Sequence, residues 1–320
     1  MSYLRNAQLI WVDNETLRSA NTELLAVFDE RSREIESSPE RFLIMKAPPM
    51  LEWYASRFAA LPPRYVLDVG ILKGGSVAFF EELWHPQRLV AVDISPEPLA
   101  ALTEFIQRID GADRIRPVYG VDQSDRRAMT QVMEESFSGQ SPDLIIDDGC
   151  HFLDETRALF NITFPYLRPG GVYIIEDWAW AHWQGAWQED GGPWPDRPAL
   201  TSLALELAML SASRGDLVES VEISSTFVVV RKGASAAVPM DFDLSSSYLT
   251  AGRLFLEDGF PTARQGPSRA TETHSSIALA AARTASLEAA LRAVKSSTSW
   301  KITAPMRRLG DLIRQVRRRA

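Results

Sequence analysis

One cysteine, Cys150, is all that the 320 residues contain, so no disulfide can close within the chain, and a reducing compartment is expected. Long apolar runs are also missing. None approaches the roughly 20 residues needed to span a bilayer, and the first residues lack the apolar core of a signal peptide, so the expected location is cytoplasmic. Net positive charge is missing as well: the formal charge is -8. An acidic body argues against general nucleic-acid binding, whose affinity comes from neutralising phosphates. There is no internal repeat, no clear iron-binding triad and no complete dinucleotide fingerprint. What remains is an ordinary soluble composition with 45% hydrophobic residues, long enough for one large domain with additions or for two small ones.

Five short apolar runs organise the middle of the chain: YVLDV (65–69), LVAVD (89–93), IRPVY (115–119), DLIID (143–147) and VYIIE (172–176). Helical stretches of about a dozen residues separate them, which predicts βαβ units and a parallel sheet. An apolar helix follows over 200–213. Two closely spaced strand-like runs, 218–224 and 227–231, then predict an antiparallel pair at the sheet edge. The expected fold is α/β: a Rossmann-like sheet of seven strands, mostly parallel, with an antiparallel edge strand, over 61–233. Upstream, apolar positions at helical spacing over 22–35 and 50–60, the second after Pro48-Pro49, predict a helical preface over 1–60. Downstream, an Ala, Ser, Thr, Gly and Pro texture reads as a partly ordered linker over 234–275. A helical or flexible basic tail over 276–320 follows, with Leu279, Leu287 and Leu291 on one stripe.

The chemistry is concentrated at the ends of these runs. Asp147 and Asp148 follow the fourth, and Glu176 and Asp177 close the fifth. In an open α/β sheet, carboxylates at the carboxyl ends of neighbouring strands converge on the crevice that binds ligands. Three or four oxygens there suit a hard divalent cation. The plainer alternatives are that Asp147 caps the next helix or holds a turn, that His151 is a satisfied structural histidine, and that Asp148, Glu176 and Asp177 are solvated strand-end acids. Like charges crowded without a cation disfavour the last of these. Cys150 reads as a packed small residue rather than a nucleophile.

The first run opens into DVGILKGGS (68–76), a glycine-bearing turn that starts a helix. Leu72 stands where a dinucleotide-binding turn needs its middle glycine for close approach to a pyrophosphate. A ligand without phosphates, such as S-adenosylmethionine, asks less of that turn. Asp68, Gly70, Lys73, Gly74, Gly75 and Ser76 are therefore candidates to hold it. Asp93, at the end of the second strand, is expected to accept both ribose hydroxyls, and Asp122 and Gln123 to flank the adenine, with Asp147 at the same pocket.

With GILKGGS (70–76), DDGCH (147–151), the PYLRPGG turn (165–171) and IIEDW (174–178), the chain resembles class I S-adenosylmethionine-dependent methyltransferases over roughly 45–232. More narrowly, it is similar to metal-dependent sugar O-methyltransferases of the macrocin and mycinamicin type and to the cephalosporin hydroxylase family. The resemblance implies Asp148, Glu176 and Asp177 as magnesium ligands and His151 as the base. Asp68 replaces a common glutamate, Leu72 and Lys73 interrupt the glycines, and Trp178 and Trp180 follow the acids where polar residues are common.

A methyl group on a sulfonium is already activated, so the protein's task is to hold a hydroxyl oxygen in line with it. Mg²⁺ on Asp148 and Asp177 would acidify that hydroxyl, and His151 would take its proton. Two adjacent hydroxyls chelating the cation would favour a vicinal diol. Trp178, Trp180, His182 and Trp183, with Trp187 and Trp194, form a loop whose flat rings suit a sugar or an aromatic aglycone; a lid packed only on itself is the alternative. The last twenty residues carry Lys301, Arg307, Arg308, Arg314, Arg317, Arg318 and Arg319 against Asp311. Their SWKITAPMR segment (299–307) resembles an element at the ends of bacterial polysaccharide-assembly enzymes. The tail is a solvated charge run or a contact for anionic lipid or a glycan-assembly partner. The expected acceptor is a sugar hydroxyl of a surface polysaccharide or glycoconjugate. Catechol-type and natural-product acceptors, a non-catalytic nucleotide-binding role and a homo-oligomer remain as alternatives.

Overall fold

The computed structural model describes residues 9–183, 197–234 and 238–249, all within one compact unit, Met1–Gly252. Its centre is a seven-stranded sheet of β5 (Tyr65–Val69), β6 (Arg88–Asp93), β7 (Ile115–Tyr119), β8 (Leu144–Asp147), β9 (Val172–Glu176), β10 (Val218–Ile223) and β11 (Phe227–Lys232). The strand order is β10-β11-β9-β8-β5-β6-β7. β5 to β9 pair in parallel, and β11 lies antiparallel between β9 and β10. The last two strands do take the edge of the sheet. The reversed strand is the inner one of the two, so the outermost strand, β10, runs with the others.

The helices are α1 (Pro48–Arg57), α2 (Gly75–Trp84), α3 (Ala100–Arg108), α4 (Arg126–Phe137), α5 (Leu153–Thr163) and α6 (Thr201–Ser213). Both faces of the sheet are covered. Leu67, Val90, Ile145 and Tyr173 pack with α4, α5 and α6, whereas Val66, Leu89, Leu144 and Ile174 pack with α1, α2 and α3. Burial on both faces explains why these strands read as continuous apolar runs rather than as alternating ones. Among the described residues, no helix is long and apolar enough to cross a membrane.

The expected helical preface is replaced by strands. β1 (Ile10–Trp11), β2 (Thr16–Arg18), β3 (Glu23–Ala26) and β4 (Arg41–Ile44) form a second sheet in that order, and only α1 is helical. Leu24 and Ala26 are buried while Glu23 and Leu25 are not, a period of two. The Asp29 carboxylate accepts the Arg31 N–H at 2.9 Å and starts a short 3-10 turn there instead of a helix. Pro48 and Pro49 open α1 rather than break it, since the first turn needs no N–H partners. β4 lies against α2, where Gly75 has no side chain to hold it off. A Cβ there would meet the Leu43 carbonyl at 2.2 Å.

The expected linker also begins too early. Val238, Phe242 and Leu244 are buried in the core beside α5, and the Asn161 side chain bonds the Leu244 amide at 2.9 Å and the Asp243 carboxylate at 3.1 Å. The tail over 276–320, with Trp187 and Trp194, lies outside the described residues.

Candidate active site

The sheet's strand order reverses between β5 and β8, and a cavity of about 750 Å³ opens over the carboxyl ends of the strands there. This is where open α/β sheets place ligands, and the size is typical of a small-molecule site. Gly70, at φ 107°, carries the chain out of β5, and a Cβ there would lie 2.1 Å from the Asp148 carbonyl. Only glycine allows the two loop tips to touch.

Of the candidates for the cofactor, Gly70, Asp93, Asp122 and Gln123 line the cavity. Asp93 Oδ2 accepts the Ile71 and Leu72 amides at 2.9 and 3.0 Å, and Oδ1 accepts Ser95 at 2.8 Å. A carboxylate offers about four acceptor positions, so with these three amides bound Asp93 keeps about one position open. Gln123 fixes the loop after β8: its Oε1 accepts the Cys150 amide at 3.0 Å, and its Nε2 lies 3.5 Å from Asp147. Burial lifts the Asp147 carboxyl to about 8, so it sits protonated beneath the cavity near neutral pH.

The other glycine-turn candidates face elsewhere. Lys73 pairs with Glu36, Gly74 packs on the Phe42 ring, and Gly75 meets β4. Ser76 donates to Asp68 Oδ2 at 2.7 Å in the buried core, where burial lifts Asp68 to about 7. These four residues and Asp68 build the joint between the two sheets rather than the wall of the cavity.

Asp148, His151 and Asp177 converge at the cavity, each offering one ligand atom, with these atoms all within 4.8 Å of one another. His151 and Asp177 both have positive φ, 59° and 54°. A non-glycine residue in that region costs free energy and persists where the surrounding structure imposes it, often at functional sites. His151 Nε2 lies 3.8 Å from Asp148 Oδ1. Burial lowers the His151 pKa to about 4, leaving a neutral ring with a lone pair available. Burial, then repulsion from Asp148 and Glu176, raises Asp177 to about 8, and its buried Oδ1 accepts no hydrogen bond. Two carboxylates, one of them with an unpartnered buried oxygen, fit a hard divalent cation, with a neutral imidazole beside it.

Glu176 departs from its expected place as a ligand. Its Oε2 accepts from Lys46 Nζ at 2.6 Å and its Oε1 from the Tyr54 hydroxyl at 2.6 Å, and it is buried away from the cavity. Lys46 also donates to Asp148 Oδ2 at 2.6 Å. Neither Lys46 nor Tyr54 was expected. The signal for Lys46 was a lone cation between apolar Leu43-Ile44-Met45 and Ala47-Pro48-Pro49, two residues past the end of a strand.

Of the aromatic loop, Trp180 lines the cavity, its ring centroid 4.4 Å from that of His151. Trp183 stands edge-on to Phe28, which lines the cavity from the N-terminal sheet. Trp178 is tied down, its indole N–H donating to the Ser224 carbonyl at 2.8 Å, and His182 bonds the Thr201 hydroxyl. Arg197 lies over the Phe152 ring at 3.9 Å, and both line the cavity.

No family model matches the chain. A demethylmacrocin O-methyltransferase of Streptomyces fradiae is 31% identical over 155 residues, 46% of this chain and 35% of that protein. An L-olivosyl-oleandolide 3-O-methyltransferase of Streptomyces antibioticus is 37% identical over 105 residues, 28% of this chain and 26% of its own. A mycinamicin VI 2''-O-methyltransferase of Micromonospora griseorubida is 36% identical over 100 residues, 31% and 23% of the two chains. The chain is similar to sugar O-methyltransferases. It spans about a third or less of the length of these curated relatives. Among solved structures, the MycE methyltransferase of the mycinamycin pathway, in complex with Mg and SAH, matches at 22% identity and a TM-score of 0.45, over 61% of this chain and 52% of that one.

Proposed function

We propose that the protein is an S-adenosylmethionine- and Mg²⁺-dependent O-methyltransferase acting on a sugar hydroxyl. The observation that carries this is the meeting of Asp148, His151 and Asp177 at the edge of a cavity that continues to Asp93, over the strand ends where the sheet order reverses. When bound, the cofactor supplies an electrophilic methyl group, and the cation supplies Lewis acidity that lowers the pKa of a coordinated hydroxyl.

The protein's own residues orient and deprotonate. Asp93 holds a ribose hydroxyl while its remaining acceptor positions fix the turn after β5. Asp148 and Asp177 hold the cation. His151, kept neutral by burial and oriented against Trp180, accepts the hydroxyl proton as the oxygen is alkylated. Trp180 and Phe28, which both line the cavity, supply flat faces for a sugar ring and shield the reaction from water. The relatives' names, which specify methylated sugars of natural products, support a sugar acceptor. The seven cations in the last twenty residues favour an acceptor on a surface polysaccharide or glycoconjugate, reached with glycan-assembly partners or at an anionic membrane face.

The test is transfer of a labelled methyl group to a panel of glycan, glycoside and catechol acceptors. Transfer to a sugar that stops on chelation and returns with Mg²⁺ is expected. Labelling of catechols alone would overturn the sugar assignment, and full activity after exhaustive metal removal would overturn the metal role.

A further inference from the structure

The N-terminal sheet reaches into the acid cluster through a single side chain. Lys46, two residues beyond β4, is 2% exposed, and its ammonium lies 2.6 Å from both Asp148 Oδ2 and Glu176 Oε2. Tyr54 on α1, fully buried, takes the other Glu176 oxygen at 2.6 Å. Both Glu176 oxygens are thereby engaged away from the cavity. Asp148, whose side chain is 22% exposed, has one oxygen bound to Lys46 and turns the other toward His151.

We propose that Lys46 is a positioning residue for the cation: it withholds Glu176 from coordination and aims the free oxygen of Asp148 at a site shared with Asp177. This rests on the metal-dependent reading above and goes beyond it, because it makes the N-terminal sheet part of the metal site and removes the first acid of the Glu176-Asp177 pair from the ligand set.

Charge supports the assignment. With a cation bound and Asp148, Glu176 and Asp177 all ionised, three carboxylates against the Lys46 ammonium would leave a net charge of minus two, which a divalent cation balances. Geometry supports it too. A carboxylate held by a fixed donor on one oxygen presents the other in one direction, and losing a partner that orients a ligand in this way typically costs about 10–100-fold in metal affinity or activity.

Two effects of removing Lys46 have opposite signs, and that makes the inference testable. By charge alone, Lys46→Met would tighten cation binding, because it deletes a positive charge beside the acids. By positioning, it would weaken binding, since Asp148 and Glu176 lose their common anchor. The experiment is Mn²⁺ titration of the purified full chain, following free Mn²⁺ by electron paramagnetic resonance, with urea unfolding run in parallel. The expected result is a Kd raised about 10–100-fold in Lys46→Met, the range typical for partners that orient metal ligands. Glu176→Gln, nearly isosteric, retains Lys46 and is expected to weaken Mn²⁺ clearly less than Asp177→Asn does; it decides the matter if Lys46→Met does not fold. Mn²⁺ binding in Lys46→Met as tight as in the unaltered chain or tighter, or a loss in Glu176→Gln as large as in Asp177→Asn, would overturn the proposal while leaving the metal site standing. An unaltered chain that binds no Mn²⁺ would overturn both.

Discussion

Gly75→Ala separates two roles for the glycine turn after β5, a wall for the cofactor or a seat for the N-terminal sheet. A Cβ at this position would lie 2.2 Å from the Leu43 carbonyl oxygen and 2.8 Å from Ile44 Cα, both backbone atoms that cannot rotate aside. Ordinary carbon–oxygen contacts start near roughly 3.3 Å, so β4 must retreat from α2 by about 1 Å. Overpacking of this kind costs about 1–3 kcal/mol. Lys46 follows Ile44 by two residues, and a shift of that size would stretch its two 2.6 Å ion pairs beyond hydrogen-bonding range. The expected result is a lower urea midpoint and weaker Mn²⁺ binding, with affinity for S-adenosylhomocysteine nearly unchanged, because Gly75 does not line the cavity. Gly139→Ala is the control. Nothing lies within 4 Å of its added Cβ, but its φ of 80° is left-handed, so it loses stability without touching Mn²⁺ binding. Gly75→Ala that keeps its stability and its Mn²⁺ affinity but loses S-adenosylhomocysteine would refute the reasoning and return the glycine to the cofactor.

Three further outcomes are expected. Asp93→Ala removes the acceptor for the Ile71, Leu72 and Ser95 amides, and calorimetry should show S-adenosylhomocysteine binding weakened by about 10–100-fold, the worth of one charge-assisted hydrogen bond; unchanged affinity would place the ribose elsewhere. His151→Ala should lose about 10²–10⁴-fold in methyl-transfer rate as a missing base, while Mn²⁺ affinity stays close to that of the unaltered chain; a matching collapse of Mn²⁺ binding would make it a ligand instead. Lys232 donates to the Phe164, Pro165 and Leu167 carbonyls, and burial lowers its pKa to about 8 from 10.5. Between those values the unfolded chain binds more protons than the folded one, so stability gains up to about 3 kcal/mol from this group as pH rises across the window. Chemical denaturation of the unaltered chain and Lys232→Met at stepped pH should show that gain in the first and not in the second.

The strands of the large sheet were legible because burial on both faces turns each into an apolar run with polar ends, and those ends are where the site lies. That Asp148, His151 and Asp177 come together was legible for the same reason. Glu176 was not separable from Asp177 by sequence, because adjacent residues at a strand end differ in which way they point, and here one turns into the joint with Lys46 and Tyr54. The N-terminal sheet was misread because its strands run only two to four residues and are fixed by tertiary pairing, β3 on β4 and β4 on α2, which overrides a helical-looking local pattern. Gly74 and Gly75 showed that something approaches the turn closely; the sequence did not show that the visitor is the backbone of β4.

The central claim is that one divalent cation sits between the carboxylates of Asp148 and Asp177, beside His151. Anomalous diffraction from crystals grown with Mn²⁺ tests it most directly. A single peak within coordination distance of both carboxylates, with Glu176 still paired to Lys46, is the predicted result. A peak bound to Glu176, or none at that place under saturating Mn²⁺, would contradict it.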